Sequence, residues 1–243
     1  MKAFAGYIFD LDGTVYLGER LKPIQTREHY AAKLNRLGVP VAVDDVINSS
    51  AVMVHYLARR APGATLYVVG EEPLLDELRW AGFHVVEDPS AIGWKVDFVA
   101  AAFDRTFDYA KLNRALQAIK RGARLVATNP DRTCPVEEGD VRELPDCAGM
   151  IGAIEGVSGV KVEETAGKPS PLMIEAALAR LGLPAADCLL AGDRLETDIV
   201  MGKLAGLGGT ALVLTGVSTR EMLAAAPVRP DYVLESLAQL AEE

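Results

Sequence analysis

The sequence predicts an α/β protein with a doubly wound parallel sheet as its core and a second α/β domain inserted into that core. Short apolar runs of strand length, such as Tyr7-Ile8-Phe9, recur along the 243 residues, and amphipathic stretches of helix length separate them. Buried parallel strands read as apolar runs, and their alternation with helices is typical of α/β folds. Apolar residues make up 50% of the chain, which is enough to build a sizeable core.

The predicted elements follow one another along the whole chain. The strands are Tyr7-Ile8-Phe9, Leu66-Tyr67-Val68-Val69, Phe98-Val99-Ala100, Leu125-Val126-Ala127, Leu189-Leu190-Ala191 and Ala211-Leu212-Val213-Leu214. Helical patterns lie between them. Residues 109–121 follow Asp108, a residue suited to capping a helix, and residues 171–181 start at a proline, which suits a first helical turn.

Two composition changes predict where the inserted domain begins and ends. Residues 149–167 form a polar and glycine-rich segment before a fresh series of strand and helix signals. Proline and glycine also interrupt the chain at residues 61–64. These positions predict a discontinuous core of residues 1–62 and 165–243, with residues 63–164 as the inserted α/β domain.

The charge balance restricts the class of partner. The net charge of −9 argues against nucleic acid or an anionic membrane as the main partner, because neither would be attracted over long range. No apolar run approaches the length that crosses a bilayer, and the N-terminus lacks the pattern of a signal peptide. We therefore expect a cytoplasmic protein that binds neither nucleic acid nor membrane.

Two carboxylates one residue apart follow the first predicted strand, in Phe9-Asp10-Leu11-Asp12-Gly13-Thr14. In open α/β sheets, ligands bind at the carboxyl ends of the strands. Because two acids this close repel one another, a divalent metal ion or a shared proton is expected with them. A solvated turn with a helix cap is the alternative interpretation.

A second acidic strand end and one lysine complete the pattern. The strand before Gly192-Asp193 leads on to Thr197-Asp198, so Asp193 and Asp198 are candidate ligands for a hard cation such as Mg²⁺. Lys168 precedes the helix that starts at Pro171, and both an ammonium and a helix N-terminus favour an anion. The alternatives are that Thr197-Asp198 opens a helix and that Lys168 is an ordinary surface lysine.

Acids, a metal ion and one lysine are the groups that phosphoryl transfer uses. In order and sequence these segments resemble the haloacid dehalogenase superfamily, with Asp10-Leu11-Asp12-Gly13-Thr14 similar to its first motif, Lys168 to its third, and Gly192-Asp193 through Thr197-Asp198 to its fourth. The similarity extends to the branch of p-nitrophenyl phosphatases and N-acetylglucosamine-operon phosphatases (subfamily IIA). Its further stretches are Tyr67-Val68-Val69-Gly70-Glu71, Ala127-Thr128-Asn129-Pro130-Asp131, Gly167-Lys168-Pro169-Ser170-Pro171 and Leu214-Thr215-Gly216-Val217.

The resemblance implies a Mg²⁺-dependent phosphatase of small phosphomonoesters. Asp10 would attack phosphorus, and Asp12 would protonate the departing oxygen and later activate water. The Asp10 carboxylate, the Asp12 main-chain carbonyl and Asp193 would hold Mg²⁺ with support from Asp198, while Lys168 would screen the charge between nucleophile and phosphate. The implied substrate contacts are Gly13, Thr14, Asn129 and Asp131. The branch also implies that residues 63–164 form a cap, and association through that cap predicts a homodimer.

This chain departs from the family pattern after its first motif. The second motif, a Thr or Ser at the end of the neighbouring strand, has no counterpart. Only eleven residues separate Thr14 from the helix predicted near Thr26, whereas a strand-helix-strand unit takes about thirty residues. We infer that a crossover helix and its strand are missing, which leaves the Asp10 strand with an open edge. Ser49 or Ser50 is a candidate replacement for the lost phosphate ligand, with a helix cap as the alternative.

Two other functions stay open at this point. The chain is a binding or structural protein on the same scaffold if loss of the second motif has made it inactive. It is a phosphate-accepting regulatory domain if the acids and the lysine only hold a phosphoryl group. The latter predicts a long-lived aspartyl-phosphate, whereas Asp12 as a general base predicts rapid turnover.

Overall fold

The structure, a computed structural model, describes residues 3–16, 26–138 and 140–240 of the chain. The strands are β1 (Gly6–Phe9), β2 (Thr65–Val69), β3 (His84–Val86), β4 (Phe98–Ala101), β5 (Arg124–Ala127), β6 (Thr133–Glu138), β7 (Val141–Pro145), β8 (Glu164–Thr165), β9 (Cys188–Gly192), β10 (Gly209–Val213) and β11 (Tyr232–Leu234). The α-helices are α1 (Arg27–Arg36), α2 (Ser49–Arg60), α3 (Glu72–Trp80), α4 (Tyr109–Ile119), α5 (Cys147–Ser158), α6 (Leu172–Leu181), α7 (Val200–Leu204) and α8 (Arg220–Ala225). These elements form two compact units, residues 3–16 with 168–240 and residues 26–138 with 140–167.

The first unit is built on a parallel sheet in the order β1-β9-β10-β11. Its middle strands, β9 and β10, are buried along their whole length. Successive residues of β9 face opposite sides of the sheet: Leu189 packs with Phe4, whereas Leu190 packs with Ile174 of α6 and Met201 of α7. This unit confirms the prediction that the two ends of the chain build one parallel sheet.

Strand β1 lies at the edge of this sheet, because among the described strands it pairs only with β9. The side chains of Tyr7 and Phe9 stack on one face of β1, with ring centroids 6.2 Å apart, and stay 40% and 42% exposed. The open edge agrees with the inference that a neighbouring strand is missing. Residues 21–25, where the sequence predicts the entry to the following helix, lie outside the described residues.

The second unit has its own parallel sheet, in the order β3-β2-β4-β5-β8, and an antiparallel β6-β7 hairpin. Helices α4 and α5 pack on one face of this sheet, where they cover Tyr67, Val99 and Leu125. Helix α4 begins as predicted, since the Asp108 carboxylate accepts a hydrogen bond from the Lys111 N–H (2.7 Å). The predicted strands of residues 66–69, 98–100 and 125–127 are therefore confirmed.

The polar and glycine-rich segment of residues 149–167 is helical in its first part, because α5 continues to Ser158. The buried side chains of this helix recur at helical spacing, at Cys147, Met150 and Ile154. A Cβ atom on Gly149, Gly152 or Gly156 would meet nothing within 4 Å. The glycines therefore lie away from the packed face, where they weaken the helix without ending it.

The predicted domain limits, residues 1–62 with 165–243 and residues 63–164, stay a prediction. One limit of the compact units falls between residues 167 and 168, close to the predicted one. Helices α1 and α2 belong to the second unit, where the Tyr56 hydroxyl of α2 donates a hydrogen bond to Glu163 (3.2 Å). In the described part of the chain, no helix has the length and apolar character that crossing a bilayer requires.

Candidate active site

The pairing of β1 with β9 brings the first acid to the carboxyl edge of the sheet. Phe9 lies beside Ala191 in the register of these strands, and the Asp10 N–H continues the ladder by donating to the Ala191 carbonyl (2.9 Å). Since β9 ends at Gly192, Asp193 follows at the same edge. Two neighbouring parallel strands, the edge strand β1 and the buried strand β9, thus bring Asp10 and Asp193 side by side, as their positions in the sequence predict.

A tight turn follows Asp10 and carries Asp12. The N–H of Val15 donates to the Leu11 carbonyl (2.9 Å), and the N–H of Gly13 donates to the Tyr16 carbonyl (3.0 Å). Gly13 has φ +88°, and a Cβ atom there would lie 2.7 Å from Oδ2 of Asp193. Only glycine meets both conditions, so Gly13 allows the turn to lie against the Asp193 carboxylate.

Asp198 reaches the site from a single π-helical turn, Leu195–Ile199, that follows β9. Its carboxylate is fully buried, and Oδ2 accepts a hydrogen bond from the Arg194 N–H (3.0 Å). A Cβ atom on Gly192 would lie 2.5 Å from the Asp198 carboxyl carbon, so the chain can turn here only because residue 192 is glycine. Asp198 thus lies in the turn that leads into α7, and its carboxylate also contacts Lys168, while its role in holding a metal ion stays a prediction.

Lys168 provides the only positive charge in this group of site residues. Its Nζ forms ion pairs with Oδ1 of Asp10 and with Oδ1 of Asp198, the second at 2.7 Å. Burial by itself lowers the pKa of Lys168, but the carboxylates of Asp198 and Asp10 outweigh this effect and raise it above its usual value. Lys168 is therefore a protonated ammonium inside the acidic cluster, and not an ordinary surface lysine.

The carboxylates of Asp10, Asp193 and Asp198 form a cluster in the candidate active site. One oxygen each from Asp10, Asp193 and Asp198 lies within 4.8 Å of the other two. Burial raises the pKa of Asp193 and of Asp198, and the nearby Asp10 carboxylate adds to the rise. Three carboxylates against one ammonium leave a surplus of negative charge, and hard oxygen donors at this spacing are the ligands that Mg²⁺ prefers. The residues present therefore fit a divalent cation.

A loop that the sequence analysis gave no role also contacts the site. We name residues 214–218, which follow β10, the 214–218 loop. The Thr215 hydroxyl donates to the Gly13 carbonyl (2.6 Å), and the Val217 N–H donates to Oδ2 of Asp193 (2.7 Å). The Ser218 N–H also donates to the Asp193 carbonyl (3.1 Å). The signal for these residues was the family-like stretch Leu214-Thr215-Gly216-Val217, but a stretch of similarity does not say which of its atoms form bonds.

The predicted substrate contacts fall in both units. In the first unit Thr14 is buried, and its hydroxyl oxygen has no hydrogen-bond partner among the described residues. In the second unit, the Asn129 amide donates to Asp131 (2.9 Å) and to Asp146 (3.2 Å). Burial raises the pKa of Asp146, an acid that the sequence analysis did not identify as part of this group. Whether these residues contact a substrate stays a prediction.

Ser49 and Ser50, the candidate replacements for the second-motif hydroxyl, lie in the first turn of α2. The cap of this helix is Asn48, whose side chain accepts a hydrogen bond from the Ala51 N–H (2.9 Å). A helix does begin at these serines, but its cap is Asn48 and not a serine, and whether either serine binds phosphate stays a prediction.

Comparison with known proteins finds phosphatases along the length of the chain. Residues 22–84 match the family model described as haloacid dehalogenase-like hydrolase, and residues 165–240 match the HAD-hydrolase-like model. The chain is 39% identical to the sugar-phosphatase AraL of Bacillus subtilis over 265 residues, covering 98% of this chain and 94% of AraL.

Solved structures agree with these matches. The p-nitrophenyl phosphatase from Archaeoglobus fulgidus superposes with a TM-score of 0.86 at 31% identity, covering 99% of each chain. A glycerol phosphate phosphatase from Mycobacterium tuberculosis in complex with magnesium gives 0.84 at 31% identity, covering 99% of this chain and 78% of that chain. At these identities the likeness extends beyond the general fold.

The comparison with AraL also bears on chain length. Its 265 aligned positions exceed the 243 residues of this chain, so at least 22 positions (265 less 243) face gaps in this chain. A helix of average length and a short strand together take about this many residues. The size of the difference therefore agrees with the loss of one helix and one strand.

Proposed function

We propose a specific reaction for this chain. The chain belongs to the haloacid dehalogenase superfamily, in the branch of p-nitrophenyl phosphatases and N-acetylglucosamine-operon phosphatases, and it is a phosphoric monoester hydrolase. The Asp10 carboxylate attacks the phosphorus of a small phosphomonoester and forms an aspartyl-phosphate. Asp12 protonates the oxygen that leaves. Asp12, now ionised, then takes a proton from the water that hydrolyses the aspartyl-phosphate.

The observation that carries this proposal is the meeting of Asp10, Asp193 and Asp198 around the ammonium of Lys168. Phosphoryl transfer needs a nucleophile next to positive charge, because negative charge spreads over the phosphoryl oxygens in the transition state. The contact between Lys168 and Asp10 supplies such a charge directly at the nucleophile. A structural ion pair alone would not need two further buried acids beside it.

The same donor set supports a Mg²⁺ cofactor. Its ligands in this proposal are the Asp10 carboxylate, the Asp12 main-chain carbonyl and Asp193, with Asp198 in support. When bound, the ion neutralises charge on the phosphoryl group and orients it for in-line attack. The magnesium complex of the related M. tuberculosis enzyme favours this assignment.

The substrate class in this proposal is small phosphorylated metabolites, and sugar phosphates first among them. AraL, the relative at 39% identity, is a sugar phosphatase. In the first unit, Gly13 and Thr14 are the proposed contacts to the phosphoryl group. In the second unit, the proposed cap, Asn129 and Asp131 offer an amide and a carboxylate to hydroxyl groups.

The alternative of an impaired binding or structural protein is not favoured, because the similar proteins of known activity are phosphatases. The lost second motif removes one phosphate ligand and leaves the acids and Lys168 in place. We expect this loss to weaken phosphate binding more than it slows the chemical step. A cytoplasmic location and a homodimer formed through the cap remain part of the proposal.

Hydrolysis of p-nitrophenyl phosphate and of a panel of sugar phosphates tests this function. The wild type is expected to release phosphate only when Mg²⁺ is present. Asp10→Asn is expected to lower kcat by about a thousandfold or more, because an amide cannot act as the nucleophile. Asp187→Asn makes the same change at an exposed aspartate outside the site and should leave kcat unchanged.

Two results would overturn the proposal. One is wild-type protein as inert as Asp10→Asn, with and without Mg²⁺, while circular dichroism shows that both are folded. The other is hydrolysis by Asp10→Asn at the wild-type rate, which would assign the nucleophile to another residue.

A further inference from the structure

The 214–218 loop joins two parts of the candidate active site that are far apart in the sequence. On one side, the Thr215 hydroxyl binds the carbonyl of Gly13, in the turn that carries Asp12. On the other side, the Val217 N–H binds Oδ2 of Asp193. One short loop therefore holds the first-motif turn and an acid of the cluster at the same time.

The loop fits closely against Asp193. The Cα of Gly216 lies 3.2 Å from the position of a Cβ on Gly13, so the two glycines lie next to each other beside the acid. A side chain at Gly216 would collide with the Asp193 carboxylate. The Ser218 N–H, bonded to the Asp193 carbonyl, fixes the main chain of the same residue. Asp193 is thus held at both its main chain and its side chain.

The Thr215 bond differs from the other loop contacts because it depends on a side chain. Backbone N–H groups at 217 and 218 survive almost any substitution, whereas the donor to Gly13 is lost when the hydroxyl is removed. A threonine hydroxyl donating at 2.6 Å to a carbonyl is a short, well-formed hydrogen bond. In the described part of the chain, no other group of the 214–218 loop forms a hydrogen bond with the Gly13 carbonyl.

We propose that Thr215 is a positioning residue, which acts through Gly13 to hold the first-motif turn against Asp193 and so sets the affinity of the acid cluster for a divalent cation. This inference rests on the metal site of the proposed function. In this proposal Thr215 acts through its bond to Gly13 and is not itself a ligand of the cation. Partners that orient metal ligands typically change metal affinity or activity by about 10–100-fold when they are removed.

Mn²⁺ binding measured by electron paramagnetic resonance tests the inference without relying on turnover. Thr215→Val keeps the shape of the side chain and removes the donor, so it should weaken Mn²⁺ binding by about tenfold or more. Thr215→Ser keeps the hydroxyl and should restore most of the affinity. With Mn²⁺ at saturation, kcat and KM for p-nitrophenyl phosphate should return close to the wild-type values in Thr215→Val, because excess metal compensates for a weakened affinity.

Thr219→Val is the matched control. Thr219 lies just after the loop and caps α8, where its hydroxyl oxygen accepts a hydrogen bond from the Met222 N–H (3.3 Å). Its replacement should lower the melting temperature and leave Mn²⁺ affinity unchanged. A purely structural role for Thr215 would make the two valine variants behave alike.

The inference is overturned if Thr215→Val binds Mn²⁺ as the wild type does, if Thr215→Ser is as weak as Thr215→Val, or if Thr219→Val loses as much affinity. In these cases a wild type that binds Mn²⁺ and hydrolyses p-nitrophenyl phosphate leaves the proposed function intact. A wild type that binds no Mn²⁺ contradicts both the metal site and the role of Thr215.

Discussion

Buried carboxylates in this chain are held by backbone N–H groups. Val217 donates to Asp193 (2.7 Å), and Arg194 donates to Asp198 (3.0 Å). A buried carboxylate without such donors would be costly, because desolvation disfavours its charged form. Burial still raises the pKa of both acids, so the hydrogen bonds offset only part of the cost. A cation close to these acids would favour their ionised forms.

Asp231, outside the site, shows the opposite balance and gives a pH prediction. Burial raises the pKa of Asp231, but the Lys203 ammonium (2.6 Å) and the N–H (2.8 Å) and hydroxyl (3.0 Å) of Thr210 outweigh it and hold the pKa below its usual value. Its ionised form therefore adds stability above the unfolded pKa of about 3.9, and that stability is lost as pH falls through the lower folded pKa.

Asp231→Asn should consequently be less stable than the wild type near neutral pH, and the difference should shrink on acidification below about pH 4. Urea unfolding at a series of pH values measures this difference. A difference that stays constant down to acid pH would show that the charge of Asp231 does not stabilise the fold.

At the residue scale, side chains with distinctive chemistry could be predicted and backbone partners could not. Asp10, Asp193 and Asp198 can be identified because they follow the ends of apolar strands, where ligands bind in open α/β sheets, and Lys168 because it precedes a helix start. The N–H of Val217 gave no signal, because every residue except proline carries the same donor. Thr215 could be noticed but not placed, since its bond joins positions 202 residues apart.

Helix α5 is an element that the sequence pattern did not predict, because it contains several glycines. The glycines of this helix led to the prediction of a domain boundary in residues 149–167. Its apolar residues nevertheless recur at helical spacing, and its N-cap residue, Asp146, accepts a hydrogen bond from the Cys147 N–H (2.6 Å). Glycine has low helix propensity, but packing of one face overrides propensity. By contrast, short apolar runs correctly predicted β2, β4, β5, β9 and β10. A parallel strand that is buried on both faces is apolar along its whole length, which makes such a run easy to recognise.

The glycines of α5 predict opposite effects of the same substitution. At Gly152, within the helix and in open space, Gly152→Ala should stabilise the protein by about 0.5–1 kcal/mol. At Gly159, which ends the helix with φ +74°, Gly159→Ala should destabilise it, because a side chain is strained in that conformation. Thermal unfolding of the two variants checks this prediction, and a loss of stability in Gly152→Ala would contradict it.

At the scale of the whole molecule, the fold class is predictable from the sequence, whereas the interruption after the first motif stays a prediction. The short spacing between Thr14 and α1 implied a missing crossover, and the structure has β1 at the edge of its described sheet with Tyr7 and Phe9 exposed. The grouping of α1 and α2 with the second unit had no signal in the sequence. Helix patterns show that a helix exists, but not which sheet it packs on.

We propose that separate strand ends assemble one phosphatase site in a chain whose sequence shows no counterpart of the second motif. The acids of β9 and of the π-helical turn, the turn after β1 and Lys168 meet within one unit. The first step needs the Asp10 carboxylate as the nucleophile, and hydrolysis of the aspartyl-phosphate needs Asp12 as the base. Replacing Asp12 should therefore let the phosphorylated form accumulate.

Locating the phosphoryl group during turnover shows whether Asp10 is the nucleophile. Asp12→Asn is mixed with p-nitrophenyl phosphate and Mg²⁺, quenched in acid, treated with borohydride to convert any aspartyl-phosphate to homoserine, and mapped by peptide mass spectrometry. We expect homoserine at residue 10, formed only when Mg²⁺ is present. Homoserine at another aspartate, or p-nitrophenol release with none formed at residue 10, would contradict it.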